Sequence, residues 1–223
     1  MIPKKIHYCW FGPKPFPKLV KECLATWKEH FPDYEFYLWN ETNSPMDVAF
    51  VKEAYSAKKY AFVSDYVRFW ALYKEGGIYL DTDMFVIRSM DKLLDNYCFF
   101  AYEFPDNSVI GCCVIGCEGK NKFISQILDT YHNTHFRLDN ITKLVIPRLI
   151  TPIYEKFSDK NNILIFSYDY FYPFPYEERA KVMLFRKYAT NNTYAIHLWN
   201  LSWVSSFDKL SSKAVKFFKR YIK

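Results

Sequence analysis

Glycine is scarce, at 6 of 223 residues, and no repeat or low-complexity linker interrupts the chain. With half of the residues hydrophobic and 21% aromatic, the composition excludes a disordered polypeptide. Metal-knuckle spacing is missing too. The six cysteines, at positions 9, 23, 98, 112, 113 and 117, form no CxxC or Cys/His pattern, and the adjacent pair Cys112 and Cys113 suits neither a zinc site nor a simple disulfide frame. Reduced, buried thiols in a cytoplasmic protein are the natural expectation. The opening MIPKKIHYCWFGPKP lacks the apolar core of a signal peptide. The longest uncharged apolar run, around Val109 to Cys117, is too short to span a bilayer. A chain of 223 residues without an internal composition shift fits one domain with at most a small appendage.

Charge is what the chain does have, and it is unevenly placed. The net charge is +6, and the last sixteen residues, DKLSSKAVKFFKRYIK, hold six Lys or Arg against one Asp. The rest of the chain is nearly neutral, so a basic partner surface belongs to the tail. Within it Ala214, Val215, Phe218 and Ile222 recur at helical spacing, with Phe217 and Tyr221 beside them and Lys213, Lys216, Arg220 and Lys223 largely opposite. The pattern fits either a helix lying on an anionic membrane or one packed on the domain with a solvated basic face. No nucleic-acid-binding motif is present.

Ile6 to Trp10 reads as a first strand and FGPKPFP as a proline-rich loop. Lys18 to His30 has Leu19, Cys23 and Trp27 four apart, the spacing of a helix, which Pro32 ends. YEFYLWN follows as a second strand and Met46 to Ala57 as a helix, so the chain opens β-α-β and predicts an α/β sheet. Ser64 to Glu75 is the clearest helix, with Ser64 as N-cap, Asp65 at the positive end and Gly76 as C-cap. Strands are also expected in YCFFAYEF, in SVIGCCVIG (one strand or a pair), in NILIFSYDYFYP and in TYAIHLWNLSW. Helices are expected near Met90 to Leu94, over Lys122 to His132 and over Ile141 to Phe157, the last kinked at Pro147 and Pro152.

The stretch GGIYLDTDMFV, Gly76 to Val86, sets two aspartates between two strand-like runs, where acidic residues are depleted. Ligands in an open α/β sheet sit beyond the carboxyl ends of the strands, the place to which IYL delivers Asp81 and Asp83. Residues i and i+2 of an extended segment point the same way. Two converging carboxylates suit Mg²⁺ or Mn²⁺ and, through it, the diphosphate of a nucleotide. The same residues also suit plain turn chemistry. Asp65 and Arg68 share one helix face, which by itself describes an ordinary ion pair.

Tyr60, SDYVR and GGIYLDTD, which includes Tyr79, resemble the DXD sugar-binding region of glycosyltransferases. The likeness is to the family-32-like group that holds yeast initiation-type mannosyltransferases, bacterial capsular and lipooligosaccharide transferases, and the catalytic domains of clostridial glucosylating toxins. IPKKIHYCWFG, LWN at Leu38 to Asn40 and IHLWNLSW at Ile196 to Trp203 resemble its opening and closing motifs. The resemblance covers roughly residues 1–205. It implies one GT-A-type domain, a Rossmann-like α/β fold with a mixed central sheet; the basic amphipathic helix expected over 206–223 follows from the tail's own pattern. By position, Ile6, His7 and Tyr8 would line the nucleotide pocket and Trp39 would stack on the base. Asp65 and Arg68 would contact sugar and diphosphate, and Asp81 would take ribose or sugar hydroxyls. Asp83 would bind the metal, His197 would add a metal or diphosphate contact, and Ser202 and Trp203 would close over the leaving group. Bland alternatives stand beside these roles: His7, Trp39 and Trp203 also suit a core, and His197, opposite Ile196 and Leu198 on a strand, suits a pocket or solvent. An asparagine common in the family after the DXD turn is replaced by Gly111 to Cys113.

The resemblance implies a retaining transfer from a UDP- or GDP-sugar to a glycan or lipid-linked glycan, with Mn²⁺ or Mg²⁺, in bacterial capsule or lipopolysaccharide synthesis. The enzyme would be cytoplasmic, peripheral on the inner membrane face through the tail. Front-face transfer and double displacement through Glu103 or Asp106 both remain open, and Glu103, Asp106 and Asn107 are candidate acceptor contacts. A non-catalytic nucleotide-sugar-binding module and a toxin-like transferase acting on protein are the rival readings.

Overall fold

The computed structural model describes residues 1–200. Ser202, Trp203 and the basic helix expected over 206–223 lie outside the described residues.

The chain opens as read. Strand β1 (Lys5–Cys9), helix α1 (Lys18–His30) and strand β2 (Glu35–Trp39) form a β-α-β unit whose strands run parallel, Lys5 opposite Glu35 through Cys9 opposite Trp39. Helices α2 (Ala49–Ser56) and α3 (Tyr60–Glu75) lead into β3 (Gly77–Leu80), parallel to β1. After β4 (Met84–Val86) come β5 (Cys98–Tyr102), β6 (Ile110–Cys117), α4 (Lys122–His132), α5 (Ile146–Lys156), β7 (Leu164–Phe166) and β8 (Ala195–His197). The main sheet runs β2-β1-β3-β6-β5-β7, with β6 antiparallel to β3 and β5; β4 leaves it and pairs with β8 as a separate antiparallel ribbon. The sheet is therefore mixed, in three layers. Cys9, Tyr79 and Ile115 pack on the α2–α5 side, while Ile6, Ile78, Leu80 and Val114 face α1 and the ribbon, the alternation a pleated strand imposes.

Several expectations are corrected. Helix α3 begins at Tyr60, not Ser64: Phe62 and Val63 are buried, so the first turn has a core to pack on, and Ser64 Oγ bonds back to the Tyr60 carbonyl at 3.2 Å. Asp65 is thus inside the helix rather than at its positive end. Pro147 does not kink a helix; it sits in the first turn of α5, where a missing N–H costs nothing, and only Pro152 is internal. The stretch near Met90 is a short 3₁₀ turn, Asp91–Leu93, and Met46 to Ala57 narrows to α2. SVIGCCVIG is one strand. No helix of the described residues is long and apolar enough to cross a membrane.

Candidate active site

The turn into β3 is built on backbone that side chains resist. Gly76 and Gly77 have φ of 63° and 115°, and a Cβ on Gly77 would lie 2.7 Å from the Lys5 carbonyl. This lets α3 end against the sheet and β3 start at once beside β1. Asp81 follows the last residue of β3, and Trp10 the last of β1, so both stand at the carboxyl edge of the sheet.

Arg68, 5% exposed, organises the acidic residues. Its Nη2 is 2.8 Å from Asp65 Oδ1 and 3.3 Å from Asp81 Oδ1; Nη1 donates to the Cys112 carbonyl at 2.7 Å. The guanidinium lies 4.5 Å over the Tyr79 ring, and the Tyr79 hydroxyl donates to Asp81 Oδ1 at 2.7 Å. Burial works against the Arg68 charge, but Asp81, Tyr79 and Asp65 hold the group protonated. Burial pushes the Asp65 carboxyl up to about 7, with Arg68 pulling it down and Asp81 adding to the rise.

Opposite stands Asp83. Its Oδ2 is 3.4 Å from His197 Nε2 and accepts the Asn200 amide at 2.8 Å, while its carbonyl accepts the Leu198 amide at 3.1 Å. Burial would raise this carboxyl, yet His197 and the Asn200 amide outweigh it and hold it below its usual range. Burial likewise opposes the charged His197, and Asp83 outweighs it, so the imidazole keeps its proton above its ordinary value. Trp199, with φ 53°, bends the chain so that Asn200 can reach Asp83, and its ring lies 4.1 Å from that of His197.

Cys113 completes the group through an irregularity in β6. Pairing with β5 runs Phe99 opposite Gly116 but Ala101 opposite Gly111, so extra residues bulge from β6. The bulge is tied down on every side. The Cys112 carbonyl accepts from Arg68 at 2.7 Å, the Cys113 amide donates to the Tyr172 hydroxyl at 2.8 Å, and the Cys113 carbonyl accepts from Asp81 N at 2.8 Å. Cys113 Sγ is left 3.7 Å from His197 Nε2, and one donor atom each from Asp81, Cys113 and His197 lie within 4.8 Å of one another. Four carboxyls, Asp65, Asp81, Asp83 and the half-buried Glu103, gather around Arg68 and His197, a set of oxygen donors that fits a bound divalent cation. Burial pushes Glu103 up to about 7, against a pull from His197.

The structure brings Asp65, Arg68, Tyr79, Asp81, Asp83 and His197 together. The other sequence-proposed residues have surroundings of their own. Ile6 is fully buried against α1. His7 is a satisfied core histidine: Trp39 Nε1 donates to its Nδ1 at 3.1 Å, so Nε2 carries the proton and donates to the Gly76 carbonyl at 2.7 Å. Trp39 is buried edge-on to Trp70 rather than open to a base. Tyr8 is half-buried with its ring on Trp27. Tyr60 lies flat against Gly12 of the β1–α1 loop, where a Cβ would approach its ring to 2.4 Å. Asp106 is exposed and accepts from Ser108 N at 3.0 Å, which is turn chemistry, and Asn107 occupies the left-handed region at φ 56°. Cys113, Tyr172, Trp199 and Asn200 join the site without a role assigned from the sequence; Trp199 and Asn200 lie within IHLWNLSW and Cys113 at the place of the family's asparagine, and only Tyr172 has no sequence signal.

Residues 17–100 match the family described as glycosyltransferase sugar-binding region containing DXD motif. Inositol phosphoceramide mannosyltransferase 3 of Schizosaccharomyces pombe is 35% identical over 135 residues, 57% of this chain and 36% of that one. The initiation-specific alpha-1,6-mannosyltransferase of Candida albicans is 27% identical over 109 residues, 43% of this chain and 28% of that one. The chain therefore spans about a third of the length of the curated relatives it matches. Among solved structures, the PaToxG glycosyltransferase superposes with a TM-score of 0.56 at 20% identity, covering 70% of this chain and 68% of that one, a likeness of fold. Asp81-Thr82-Asp83 is the DXD of that region, at the edge of a mixed α/β sheet; the match over residues 17–100 and the GT-A-type fold are what the chain shares with the DXD glycosyltransferases.

Proposed function

We propose that the chain moves a sugar from a UDP- or GDP-sugar to a glycan or lipid-linked glycan acceptor, with retention of anomeric configuration and with Mn²⁺ or Mg²⁺. The convergence of Asp81, Asp83, Arg68 and His197 at the carboxyl edge of β1 and β3 is the observation that carries this reading. Asp81, Asp83 and His197 are the residues that would hold the cation. Once bound, a divalent cation offsets charge on a departing diphosphate.

The remaining roles fall to the chain itself. Tyr79 and Arg68 both engage Asp81 Oδ1, which orients the carboxylate and leaves Oδ2 for the ligand. Asp65, exchanging its proton near neutrality, suits hydrogen bonding to sugar hydroxyls from beside Arg68. Arg68 supplies fixed positive charge, and preorganised charge of this kind is a main source of transferase rate. Glu103, rather than Asp106, is the carboxyl near the cluster, because Asp106 is engaged in its own turn; it is assigned the acceptor hydroxyl.

A relative named for inositol phosphoceramide favours an acceptor carried on lipid. We place the activity in surface-glycan assembly of the capsule or lipopolysaccharide kind, at the cytoplasmic face of a membrane that the basic residues 206–223 would bind. The test is a thermal-shift panel of UDP-, GDP-, CMP- and dTDP-sugars, each with Mn²⁺ and with EDTA. A Mn²⁺-dependent rise with one nucleotide is the expected result, because a ligand of the folded state raises the melting point. No shift with any of them, for folded protein, overturns the reading.

A further inference from the structure

We propose that Cys113 supplies a thiolate ligand to the cation site, so that this chain prefers thiophilic divalent cations, Zn²⁺ and Co²⁺, over Mg²⁺. The inference rests on the reading of a divalent-cation site above and revises its ion from Mg²⁺ toward a softer one.

Three observations carry it. The sulfur has the right neighbours: Cys113 Sγ lies 3.7 Å from His197 Nε2, and Asp81 completes a trio of donor atoms within 4.8 Å of one another. In a tetrahedral site with bonds of ~2.3 Å to sulfur and ~2.1 Å to nitrogen, those two ligand atoms sit about 3.6 Å apart; the sulfur is also 3.8 Å from Nδ1, so the imidazole must turn to aim Nε2 at a shared ion. Asp83 Oδ2 lies 3.4 Å from His197 Nε2, beside this trio. The sulfur is also held there. Tyr172, Asp81 and Arg68 fix the β6 bulge at both peptide groups that flank Cys113, so its side chain is turned to the site by backbone geometry. Finally, Cys113 is set apart from its kind: all six cysteines are free, and the other five are buried.

Ligand softness decides between metals. Mg²⁺ takes oxygen donors and gains nothing from sulfur, whereas Zn²⁺ and Co²⁺ bind thiolate and imidazole well. Binding releases two protons to solvent, that of the Cys113 thiol as the sulfur–metal bond forms and that of the His197 imidazolium as its nitrogen takes the metal. The competing account is a weak thiol contact to His197 with no part in metal binding.

The experiment is a titration of EDTA-stripped protein with Co²⁺, read by absorption. Thiolate ligation gives a sulfur-to-cobalt charge-transfer band in the near ultraviolet, and one equivalent should develop it fully. Cys113→Ser should remove the band, weaken Zn²⁺ binding in competition by about tenfold or more, and change Mn²⁺ binding by less than about threefold. Co²⁺ ligand-field absorption without the charge-transfer band overturns the inference while leaving the metal reading intact. Failure of Co²⁺, Zn²⁺ and Mn²⁺ all to bind overturns both. Because the band is read on the unaltered chain, the result does not depend on the variant folding.

Discussion

Arg68 is the side chain on which the acidic cluster depends. One buried guanidinium answers Asp65, Asp81 and the bulge carbonyl of Cys112, a three-way task that a lysine's single point charge does not match. Arg68→Lys should lower kcat/KM by about 10²-fold and stability by about 2 kcal/mol, measured by initial rates and urea unfolding. Asp83→Asn should remove metal-dependent turnover, by about 10²-fold or more; full activity in that variant would overturn the site. His7 gives a pH prediction. Burial holds it neutral down to about 4, with Lys5 adding to the drop, while the unfolded chain takes up a proton below the ordinary 6.5. Between those values the unfolded state binds more protons, so stability is fully present above 6.5 and is lost as pH falls, by about 3 kcal/mol at the lower end. Urea midpoints from pH 7 to 4 should show the slope, and His7→Gln should flatten it.

The element that positions the second aspartate is α1. Trp27 Nε1 donates to the Met84 carbonyl at 2.7 Å, and Thr26 Oγ1 accepts from the Val86 amide at 3.1 Å, so the helix clamps both ends of β4 just after Asp83. Trp27 is fully buried, and Trp27→Phe would leave the Met84 carbonyl without its donor. The expected loss is about 1–3 kcal/mol in chemical unfolding, with weaker metal binding if β4 shifts. Wild-type stability in that variant would assign the clamp to packing alone.

For the molecule as a whole, the three layers set the site at one edge of the sheet, where α3, β3, β6 and the β4–β8 ribbon meet. The prediction at this scale concerns the basic tail. Deleting residues 211–223 should abolish binding to anionic vesicles while leaving binding to neutral ones unchanged, and sedimentation of vesicles with bound protein reads it. Equal binding by the shortened chain would return the tail to the role of a packed or solvated helix.

The amino-acid sequence by itself determined the local elements and the central motif. Leu19, Cys23 and Trp27 four apart mark α1, and Gly76 and Gly77 mark the turn that feeds Asp81. Such features arise between residues close along the chain, where periodicity and backbone restriction act. Only the tertiary structure decided the rest. That α3 starts at Tyr60 depends on a core for Phe62 and Val63. That His7 and Trp39 satisfy each other depends on β1 and β2 lying side by side. Cys113 reaches His197, 84 positions away, through a bulge held by Tyr172, Asp81 and Arg68. Contacts of that range leave no period in the sequence, because they are set by how strands and helices pack and not by the spacing of their residues.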